Sequence, residues 1–251
     1  MTFALAGRTV LIAGASSGIG AHFARVLVAA GATVVLGARR FERVAALAGE
    51  LGEAALPVSL DVTDEASVAA AYDAAEARFG TVNGVVANAG IGTGGRSTDI
   101  PGEALRGVTD TNLLGAMLVA REGARRMIAS GSAAREDGRI VLIGSITAER
   151  AGMGDAFYAA TKAGLAHLAR NLAREWIRLG VNVNTLQPGI IPTEANQAWF
   201  ASERGAADVA AQQRRRLLGE DALDDMLLYL LSDRSRQVTG ATFTIDDGQS
   251  L

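Results

Sequence analysis

The sequence predicts an α/β protein in which about seven parallel strands form one doubly wound sheet flanked by helices. Three observations support this prediction. Short apolar segments rich in β-branched residues alternate with helical patterns along the whole chain, which is typical of a parallel sheet. The first apolar segment, residues 9–13, runs into a glycine-rich turn that precedes a helical pattern. The composition of the 251 residues, 49% hydrophobic and 20% charged, is sufficient for a large core.

The chain is expected to form a single domain, residues 1–251. Parallel α/β folds of this length often form one unit. The sequence contains four prolines, and it has no Pro-rich or Ser-rich linker and no internal repeat.

Composition and charge exclude several classes of protein. A formal net charge of −3 provides no basic field for nonspecific nucleic-acid binding. No apolar run reaches the roughly 18 residues that would span a membrane, and the start of the chain lacks a signal-peptide pattern. The absence of cysteine excludes disulfides and thiolate catalysis, and His22 and His167 are too far apart in sequence to suggest a metal site. We therefore expect a cytoplasmic protein without a metal.

The first strand, residues 9–13, is followed by the glycine pattern Gly14-x-x-x-Gly18-x-Gly20 and a helix over residues 21–30. Glycines let backbone amides approach a pyrophosphate closely, and the helix N-terminus adds a partial positive charge. The pattern indicates a dinucleotide site, although glycines also occur in ordinary turns.

The second strand, residues 33–36, ends close to Arg39 and Arg40. In a dinucleotide-binding fold an acidic residue about 20 positions after the glycine loop binds the ribose hydroxyls, whereas an arginine there accommodates a 2′-phosphate. Position 38 is alanine and the first acid is Glu42. We therefore predict an NADP site, with Arg39 as its main contact and Arg40 as a second candidate. The alternative is a solvated pair at the start of a helix.

The third strand, residues 55–60, ends at Asp61 and Val62, and Asp61 is either an adenine contact or a residue of the helix start. The fourth strand, residues 83–87, leads into a turn of small residues at the edge where ligands of such sheets bind. That turn consists of Asn88, Ala89 and Gly90.

The remaining elements continue the alternation. The predicted helices are 65–79, capped by Asp64 or Thr63; two stretches that join near Asn112 and Gly115; 157–179; and 220–231. The remaining predicted strands are 139–144, which leads to Ser145; 181–186, which leads to Pro188; and 241–245.

Tyr158 and Lys162 are a candidate acid/base pair. Lys162 is the only lysine in a chain that contains 23 arginines. On a helix, side chains four residues apart share a face with their Cβ atoms about 5–6 Å apart. A nearby ammonium favours the ionised form of a phenol, so Lys162 is expected to lower the pKa of Tyr158 towards neutrality. The pair is therefore suited to general acid/base catalysis near pH 7.

The order of these motifs resembles the short-chain dehydrogenase/reductase family in its compact form, over essentially the whole chain. The residues that carry the resemblance are Gly14, Gly18, Gly20, Asn88, Gly90, Asn112, Ser145, Tyr158, Lys162, Pro188 and Gly189. The resemblance implies a Rossmann-type fold and an oxidoreductase that uses a nicotinamide cofactor. The sequence departs from the commonest family pattern at Ala13, Ala87, Gly144 and Asp247.

The resemblance also implies a role for each catalytic residue. Tyr158 would exchange a proton with the carbonyl or alcohol oxygen, and Lys162 would lower the Tyr158 pKa and bind the nicotinamide ribose. Ser145 would hydrogen-bond the substrate oxygen, in the manner of an oxyanion hole. Asn112 would hold a water that links Lys162 to solvent, or it could be a helix N-cap.

The implied cofactor is NADP(H). Ser16, Ser17, Gly18, Ile19 and Gly20 would surround its pyrophosphate, and Asp61 and Val62 would flank its adenine. Asn88, Ala89 and Gly90 would line the nucleotide cleft, which Pro188 and Gly189 are also expected to border. Ile191 and Thr193 would meet the nicotinamide carboxamide, although Thr193 could simply cap the next helix.

The segment 194–218 resembles the substrate lid of the family. It contains Trp199 and Phe200, while Met153 and Phe157 lie just before Tyr158. An apolar pocket with few polar groups is the usual form of a small-molecule site. These four residues and Ser145 are therefore the predicted substrate contacts, and the expected substrate is an apolar or aromatic ketone or alcohol.

Two other functions remain open. Arg214, Arg215 and Arg216 could dock an acyl carrier protein or coenzyme A, which would indicate 3-oxoacyl thioester reduction, although they could also form a solvated helix face. A non-catalytic nucleotide-sensing protein is the third possibility, because a fold does not determine a function.

The resemblance implies a homo-oligomer, a dimer or tetramer, in which helices from residues 112–129 and 157–179 pair across a twofold axis. A small-molecule substrate is the only other partner expected.

Overall fold

The computed structural model describes residues 4–194 and 196–251. Met1, where the predicted domain begins, and Ala195, within the predicted lid, lie outside the described residues. Seven strands are present: β1 (Thr9–Ala13), β2 (Thr33–Ala38), β3 (Ala55–Ser59), β4 (Gly84–Ala87), β5 (Gly138–Ile143), β6 (Val181–Pro188) and β7 (Thr242–Ile245). They form one sheet in the order β3-β2-β1-β4-β5-β6-β7, and every neighbouring pair is parallel. The predicted doubly wound parallel sheet is confirmed.

Helices connect the strands and cover both faces of the sheet. They are α1 (Gly18–Ala29), α2 (Phe41–Leu51), α3 (Glu65–Phe79), α4 (Gly102–Thr109), α5 (Ala116–Ala129), α6 (Ser132–Arg135), α7 (Ala156–Trp176), α8 (Gln197–Phe200), α9 (Glu203–Ala211) and α10 (Asp224–Leu231).

The strand order reverses beside β1, and this reversal positions the candidate site. In β1, Ala13 is in register with Gly37 of β2 on one side and with Ala87 of β4 on the other. The strands that follow β1 are added first on one side, as β2 and β3, and then on the other side, as β4 to β7. The loops after β1 and β4 therefore separate at the carboxyl edge of the sheet. Such a crevice is where parallel α/β sheets bind ligands.

Two apolar layers hold the helices against the sheet, and β1 shows how the sequence creates them. Leu11 contributes to the core on one face together with Tyr72 of α3, whereas Ile12 contributes to the opposite face together with Phe23 of α1. Because successive side chains of a strand point to opposite faces, a fully buried strand must be apolar at every position. The continuous apolar sequence of β1 meets this requirement.

Several helix boundaries differ from the sequence prediction. The helix predicted over residues 21–30 is α1, Gly18–Ala29, which begins three residues earlier. The predicted join near Asn112 is a π-helical turn, Asp110–Gly115, between α4 and α5. The helix predicted to end at residue 179 ends at Trp176 and continues as a 3-10 turn, Ile177–Leu179. The helix predicted over 220–231 begins as a 3-10 turn, Glu220–Leu223, before α10.

The cap of α3 resolves an alternative left open by the sequence. Asp64 caps the helix by accepting a hydrogen bond from the Ala66 N–H. The hydroxyl of Thr63 instead donates to Asp61, at 2.8 Å.

No helix within residues 4–194 and 196–251 is both long enough and apolar enough to cross a membrane. Over the same residues, no three His, Asp or Glu side chains are grouped so that they could hold a metal ion.

Gly123 of α5 is expected to be intolerant of a side chain. A Cβ at this position would lie 2.6 Å from the Tyr72 hydroxyl oxygen and 2.8 Å from a methyl group of Val85. Overpacking of this kind costs about 1–3 kcal/mol, so Gly123→Ala should lower the free energy of unfolding measured in urea by that amount.

The matched control is Gly49→Ala in α2, where an added Cβ meets no atom within 4 Å. This change should raise the free energy of unfolding by about 0.5–1 kcal/mol, because alanine favours helix interiors. Equal shifts in the two variants would contradict the assigned packing of α5 on α3 and β4.

Candidate active site

A cleft at the carboxyl edge of the sheet contains most of the predicted site residues. It consists of a cavity of about 1150 Å³ and a second of about 360 Å³. The two cavities share five wall residues, Ile19, Asn88, Gly90, Ile91 and Thr193. They therefore form one continuous cleft, and the smaller part is called the nucleotide cavity below and the larger part the reaction cavity.

The predicted residues that line the nucleotide cavity are Gly14, Ser16, Ser17, Gly18, Ile19, Arg39, Arg40, Asp61, Val62, Asn88, Ala89, Gly90 and Thr193. Those that line the reaction cavity are Ile19, Asn88, Gly90, Ser145, Met153, Tyr158, Lys162, Pro188, Gly189, Ile191, Thr193, Trp199 and Phe200. Gly20, Asn112 and Phe157 line neither cavity.

The glycine turn needs glycine for two physical reasons. Gly14 has φ +87°, and a Cβ there would lie 2.8 Å from the backbone of Ala89. A Cβ at Gly20 would lie 2.2 Å from the Gly14 carbonyl oxygen. Gly20 therefore allows α1 to pack tightly against the turn, although it does not line the cleft.

The start of α1 offers unpaired amides beside the nucleotide cavity. The first N–H groups of any helix lack partners within the helix. The side chain of Ser17, at the N-cap, makes no capping hydrogen bond, and the first turn contains no acidic residue. These features fit an anionic group such as a pyrophosphate.

Two arginines flank the same cavity. The Arg40 guanidinium donates to the Ser16 hydroxyl at 2.9 Å and to the Ser17 hydroxyl at 2.8 Å. Arg39 is exposed in the cavity wall, where its positive charge contributes slightly to the lowered pKa of Asp61. The main cause of that lowered pKa is a pair of hydrogen bonds from Thr63.

Lys162 is buried at the base of the reaction cavity. Its side chain is 4% exposed, and its Nζ donates to the Ile143 carbonyl at the end of β5, at 2.8 Å. Burial disfavours the charged form and lowers the pKa of Lys162 to about 8. The Nζ lies 5.7 Å from the centroid of the Tyr158 ring, which confirms that the two side chains share a face of α7.

The pKa of Tyr158 differs from the sequence prediction. Burial raises the pKa of this phenol above its ordinary value, and the charge of Asp155 acts in the same direction. A hydrogen bond with the Ser145 side chain opposes the shift. The expected net lowering of the Tyr158 pKa towards neutrality is therefore wrong for this structure, because desolvation of the buried phenol outweighs any stabilisation of its ionised form by the Lys162 charge.

Ser145 is held in place by Thr147, which the sequence analysis missed. The Thr147 hydroxyl donates to the Ser145 Oγ at 2.9 Å, and the Thr147 N–H donates to it at 3.2 Å. With its oxygen accepting both bonds, Ser145 can act as a hydrogen-bond donor towards the cavity. A Ser-x-Thr sequence after a predicted strand is the pattern that could have identified Thr147.

Asn112 lies behind the site. It is 1% exposed in the π turn, where its side chain accepts from the Ile91 N–H and donates to the Ile91 carbonyl. A Cβ at Gly90 would lie 3.4 Å from the Asn112 Oδ1 and 3.5 Å from the Lys162 Nζ. Asn112 therefore borders the lysine through Gly90, and it is not the N-cap of a helix.

Three of the four predicted apolar substrate contacts line the reaction cavity, and the fourth, Phe157, does not. Met153 is fully exposed and Trp199 is 49% exposed, and both line the reaction cavity together with Phe200. Successive residues of a helix point about 100° apart, and Phe157 points away from the cavity that Tyr158 lines.

The segment after α9 corrects the interpretation of the three arginines. Residues 213–216 form turns and bends, not a helix face. Arg214 and Arg216 both pair with Asp247, at 3.0 and 2.8 Å. The acid at position 247 thus joins the end of the lid to the C-terminal residues.

Asn196 occupies the N-cap position of α8, the first helix of the lid, although its side chain makes no capping hydrogen bond, so the alternative role of Thr193 as the cap is wrong. The Asn196 side chain accepts a hydrogen bond from the Thr193 N–H, at 2.7 Å. Gln249, near the C-terminus, also borders the reaction cavity, and its side chain accepts a hydrogen bond from the Ile190 N–H at 2.6 Å. The sequence offered no signal for this contact, which joins positions 59 residues apart.

Comparisons with known proteins agree with this architecture. A family model described as enoyl-(acyl carrier protein) reductase matches residues 14–250. The chain is 37% identical to a cis-4-hydroxycyclohexanecarboxylate dehydrogenase from Sinomonas cyclohexanicum, over 98% of this chain and 97% of that protein. It is 32% identical to the 3-oxoacyl-(acyl-carrier-protein) reductase of Escherichia coli (strain K12), over 98% of each chain.

A solved structure shows the same fold. The crystal structure of a gluconate 5-dehydrogenase from Burkholderia cenocepacia J2315, in complex with NADP and tartrate, superposes with a TM-score of 0.91. The two sequences are 34% identical, and the match covers 99% of this chain and 97% of the other. The sheet, the family model and these relatives together establish that this chain is an oxidoreductase of the short-chain dehydrogenase/reductase family.

Proposed function

We propose that this enzyme is a single-domain, NADP(H)-dependent oxidoreductase that transfers a hydride between the nicotinamide and a ketone or secondary alcohol. The observation that carries the proposal is the convergence of Tyr158, Lys162 and Ser145 on one cavity that continues into the nucleotide cavity. A cytoplasmic location and assembly as a dimer or tetramer are part of the same proposal. Leu114 and Ile177 are consistent with assembly, because they expose apolar surface near the helices expected to pair.

The walls of the nucleotide cavity fit a dinucleotide with a 2′-phosphate. The unpaired amides at the start of α1 would bind the pyrophosphate, and Arg39 would contact the 2′-phosphate together with Arg40. Ala38 leaves no carboxylate at the end of β2 to bind a free 2′-hydroxyl. The related gluconate 5-dehydrogenase has NADP bound, which supports the same choice here.

When bound, the cofactor supplies or accepts the hydride at its nicotinamide C4. In the direction of reduction, the Tyr158 phenol gives its proton to the carbonyl oxygen of the substrate. The Ser145 hydroxyl donates a hydrogen bond to the same oxygen and stabilises the charge that develops on it. In the direction of oxidation, the Tyr158 phenolate takes the proton of the alcohol.

Lys162 would contact the cofactor and also stabilise the ionised form of Tyr158. An ammonium has three hydrogens to donate, and the Ile143 carbonyl accepts one of them. Two hydrogens remain for the nicotinamide ribose, and the positive charge stabilises the phenolate that forms at Tyr158.

Asn112 would have a positioning role. The hydrogen bonds of its side chain to Ile91 hold the loop after β4 beside Lys162. The water that the family resemblance places at this residue would complete a path for proton replacement to Lys162.

The proposed substrate is an apolar or aromatic ketone or alcohol. Met153, Trp199 and Phe200 supply the apolar wall of the reaction cavity, where the lid, residues 194–218, would cover the substrate. The related cis-4-hydroxycyclohexanecarboxylate dehydrogenase supports a cyclic body for the substrate, although the compound in its name also carries a carboxylate.

Reduction of a 3-oxoacyl thioester is the second candidate function. The similarity to the Escherichia coli acyl-carrier-protein reductase supports it. The arginines that could dock an acidic carrier give it less support, because Arg214 and Arg216 already pair with Asp247. A non-catalytic sensor is disfavoured by the presence of all four proposed catalytic residues.

The first test of the function is Tyr158→Phe. With NADPH, we expect the wild type to reduce a bulky apolar ketone faster than a 3-oxoacyl thioester of equal length. Loss of the proton donor should lower kcat by at least about 100-fold and leave the Kd for NADPH unchanged.

The matched control is Tyr72→Phe in the core, where the hydroxyl donates to the Val119 carbonyl far from the cleft. This variant should lose about 1 kcal/mol of stability and keep its activity. Faster turnover of the thioester would favour the second candidate, and a Tyr158→Phe variant with normal turnover would exclude the proposed chemistry.

The second prediction concerns pH. Lys162, with its pKa near 8, is charged below that pH and neutral above it. If its charge stabilises the phenolate, the rate of ketone reduction falls as pH rises through about 8, measured at saturating NADPH. A rate that is constant up to pH 10 would show that the charge of Lys162 is not required.

A stability measurement tests the same lowered pKa independently. Between about pH 8 and 10.5, the ordinary value, the unfolded chain binds more protons at Lys162 than the folded chain. The contribution of this residue to the free energy of unfolding therefore rises with pH in this window. The free energy of unfolding of the wild type, relative to that of Lys162→Met, should therefore rise with pH between about 8 and 10.5. A difference that stays constant with pH would contradict the assigned burial of the ammonium.

The third prediction concerns the choice of cofactor. Arg39→Ser should raise the Kd for NADPH by about 10- to 100-fold, the effect of losing a hydrogen bond to a charged group. The Kd for NADH should change by less than about threefold, because NADH has no 2′-phosphate. Arg25→Ser is the matched control, since Arg25 is also exposed but pairs with Glu50 instead. Tighter binding of NADH than NADPH by the wild type would contradict the NADP assignment.

A further inference from the structure

Two residues that line the reaction cavity carry buried oxygen atoms that the proposed mechanism does not explain. The Thr93 Oγ1 and the Asp155 Oδ1 are buried, and neither has a hydrogen-bond partner among the residues that the structure describes. Both residues line the cavity that contains Tyr158. Most buried polar side-chain atoms in proteins are paired, so two unpaired ones in one cavity point to a ligand that pairs them.

Asp155 stands next to the proton donor. It precedes α7 and lies three residues before Tyr158, and both residues line the reaction cavity. Its side chain does not cap the helix, although it occupies the N-cap position. The carboxylate lies instead over Gly152, where a Cβ would be 2.9 Å from the Oδ1.

Thr93 belongs to a different loop that meets the loop of Asp155. It follows β4, and a Cβ at Gly154 would lie 3.4 Å from the carbonyl oxygen of Gly95. The loop after β4 and the segment before α7 are therefore in contact at the cavity wall. This contact brings Thr93 and Asp155 to adjoining parts of the same wall.

We propose that Asp155 and Thr93 form a second polar subsite, which binds a hydroxyl group that the substrate carries in addition to its reacting carbonyl or alcohol. The proposal rests on the proposed function and narrows its substrate class to hydroxyketones and the corresponding diols.

The hydrogen-bonding capacity of the two residues selects a hydroxyl group. An ionised carboxylate only accepts hydrogen bonds, whereas a threonine hydroxyl can donate one. A substrate hydroxyl can donate to Asp155 and accept from Thr93 at the same time. A substrate carboxylate is repelled by Asp155, and an ammonium group could use only the lone pairs of the Thr93 hydroxyl and would leave its proton without an acceptor.

The subsite would also discriminate against substrates that lack the additional hydroxyl group. A site built to bind a hydroxyl discriminates strongly against the analogue that lacks it, because the polar groups of the site are then left buried and unpaired. The apolar wall from Met153, Trp199 and Phe200 would bind the body of either molecule. Discrimination would therefore come from Asp155 and Thr93.

The experiment compares cyclohexanone with 2-, 3- and 4-hydroxycyclohexanone, using the wild type with NADPH. We expect kcat/KM to be at least about tenfold higher for one of the hydroxyketones than for cyclohexanone. Asp155→Ala and Thr93→Val should each bring this ratio close to one. The ratio is the readout because the charge of Asp155 also acts on Tyr158, and any effect on proton transfer cancels between the two substrates.

Asp208→Ala is the matched control, because Asp208 lines the same cavity but is exposed. This variant should keep the wild-type ratio. The subsite is excluded if Asp155→Ala or Thr93→Val leaves the ratio unchanged. It is also excluded if the kcat/KM of the wild type for cyclohexanone is at least as high as its kcat/KM for each of the three hydroxyketones. A wild type that reduces none of the four ketones would contradict the proposed substrate class itself, so the two failures are distinguishable.

Discussion

A buried ammonium group at the end of β5 is the constraint on which the candidate site depends. Transferring a charge from water to a protein interior is costly unless the charge is hydrogen-bonded, and the Ile143 carbonyl provides that bond for Lys162. The bond ties α7 to the edge of the sheet where the cleft opens. It also determines which face of α7 looks into the reaction cavity, so Tyr158 faces the cavity and Phe157 does not.

The site combines a floor fixed by the sheet with walls supplied by loops. Lys162 and Asn112 are almost fully buried, and each is hydrogen-bonded to backbone groups at or after a strand end, Lys162 to Ile143 and Asn112 to Ile91. Met153 and Trp199, in contrast, expose much of their surface on connections outside the sheet. Groups that must be held precisely for chemistry thus belong to the rigid part, and groups that contact a substrate body belong to the part that varies most easily.

The lid is connected to the rest of the protein by charge and by hydrogen bonds near the C-terminus. Asp247 forms ion pairs with both Arg214 and Arg216, although ion pairs of exposed arginines contribute little stability individually. Gln249 adds a hydrogen bond to Ile190 beside the reaction cavity. Asp247, a position at which this sequence departs from the family pattern, therefore links the end of the lid to the C-terminal residues.

The sequence by itself determined the sheet, the order of its motifs and the pairing of Tyr158 with Lys162. These features depend on local patterns: apolar runs that must be buried on both faces, glycines required by a close turn, and a spacing of four on a helix. Only the tertiary structure decided the direction of the Tyr158 pKa shift, the ion pairs of Arg214 and Arg216, and the unpaired oxygens of Thr93 and Asp155. Burial and contacts between distant loops depend on how the whole chain packs, and no local pattern encodes them.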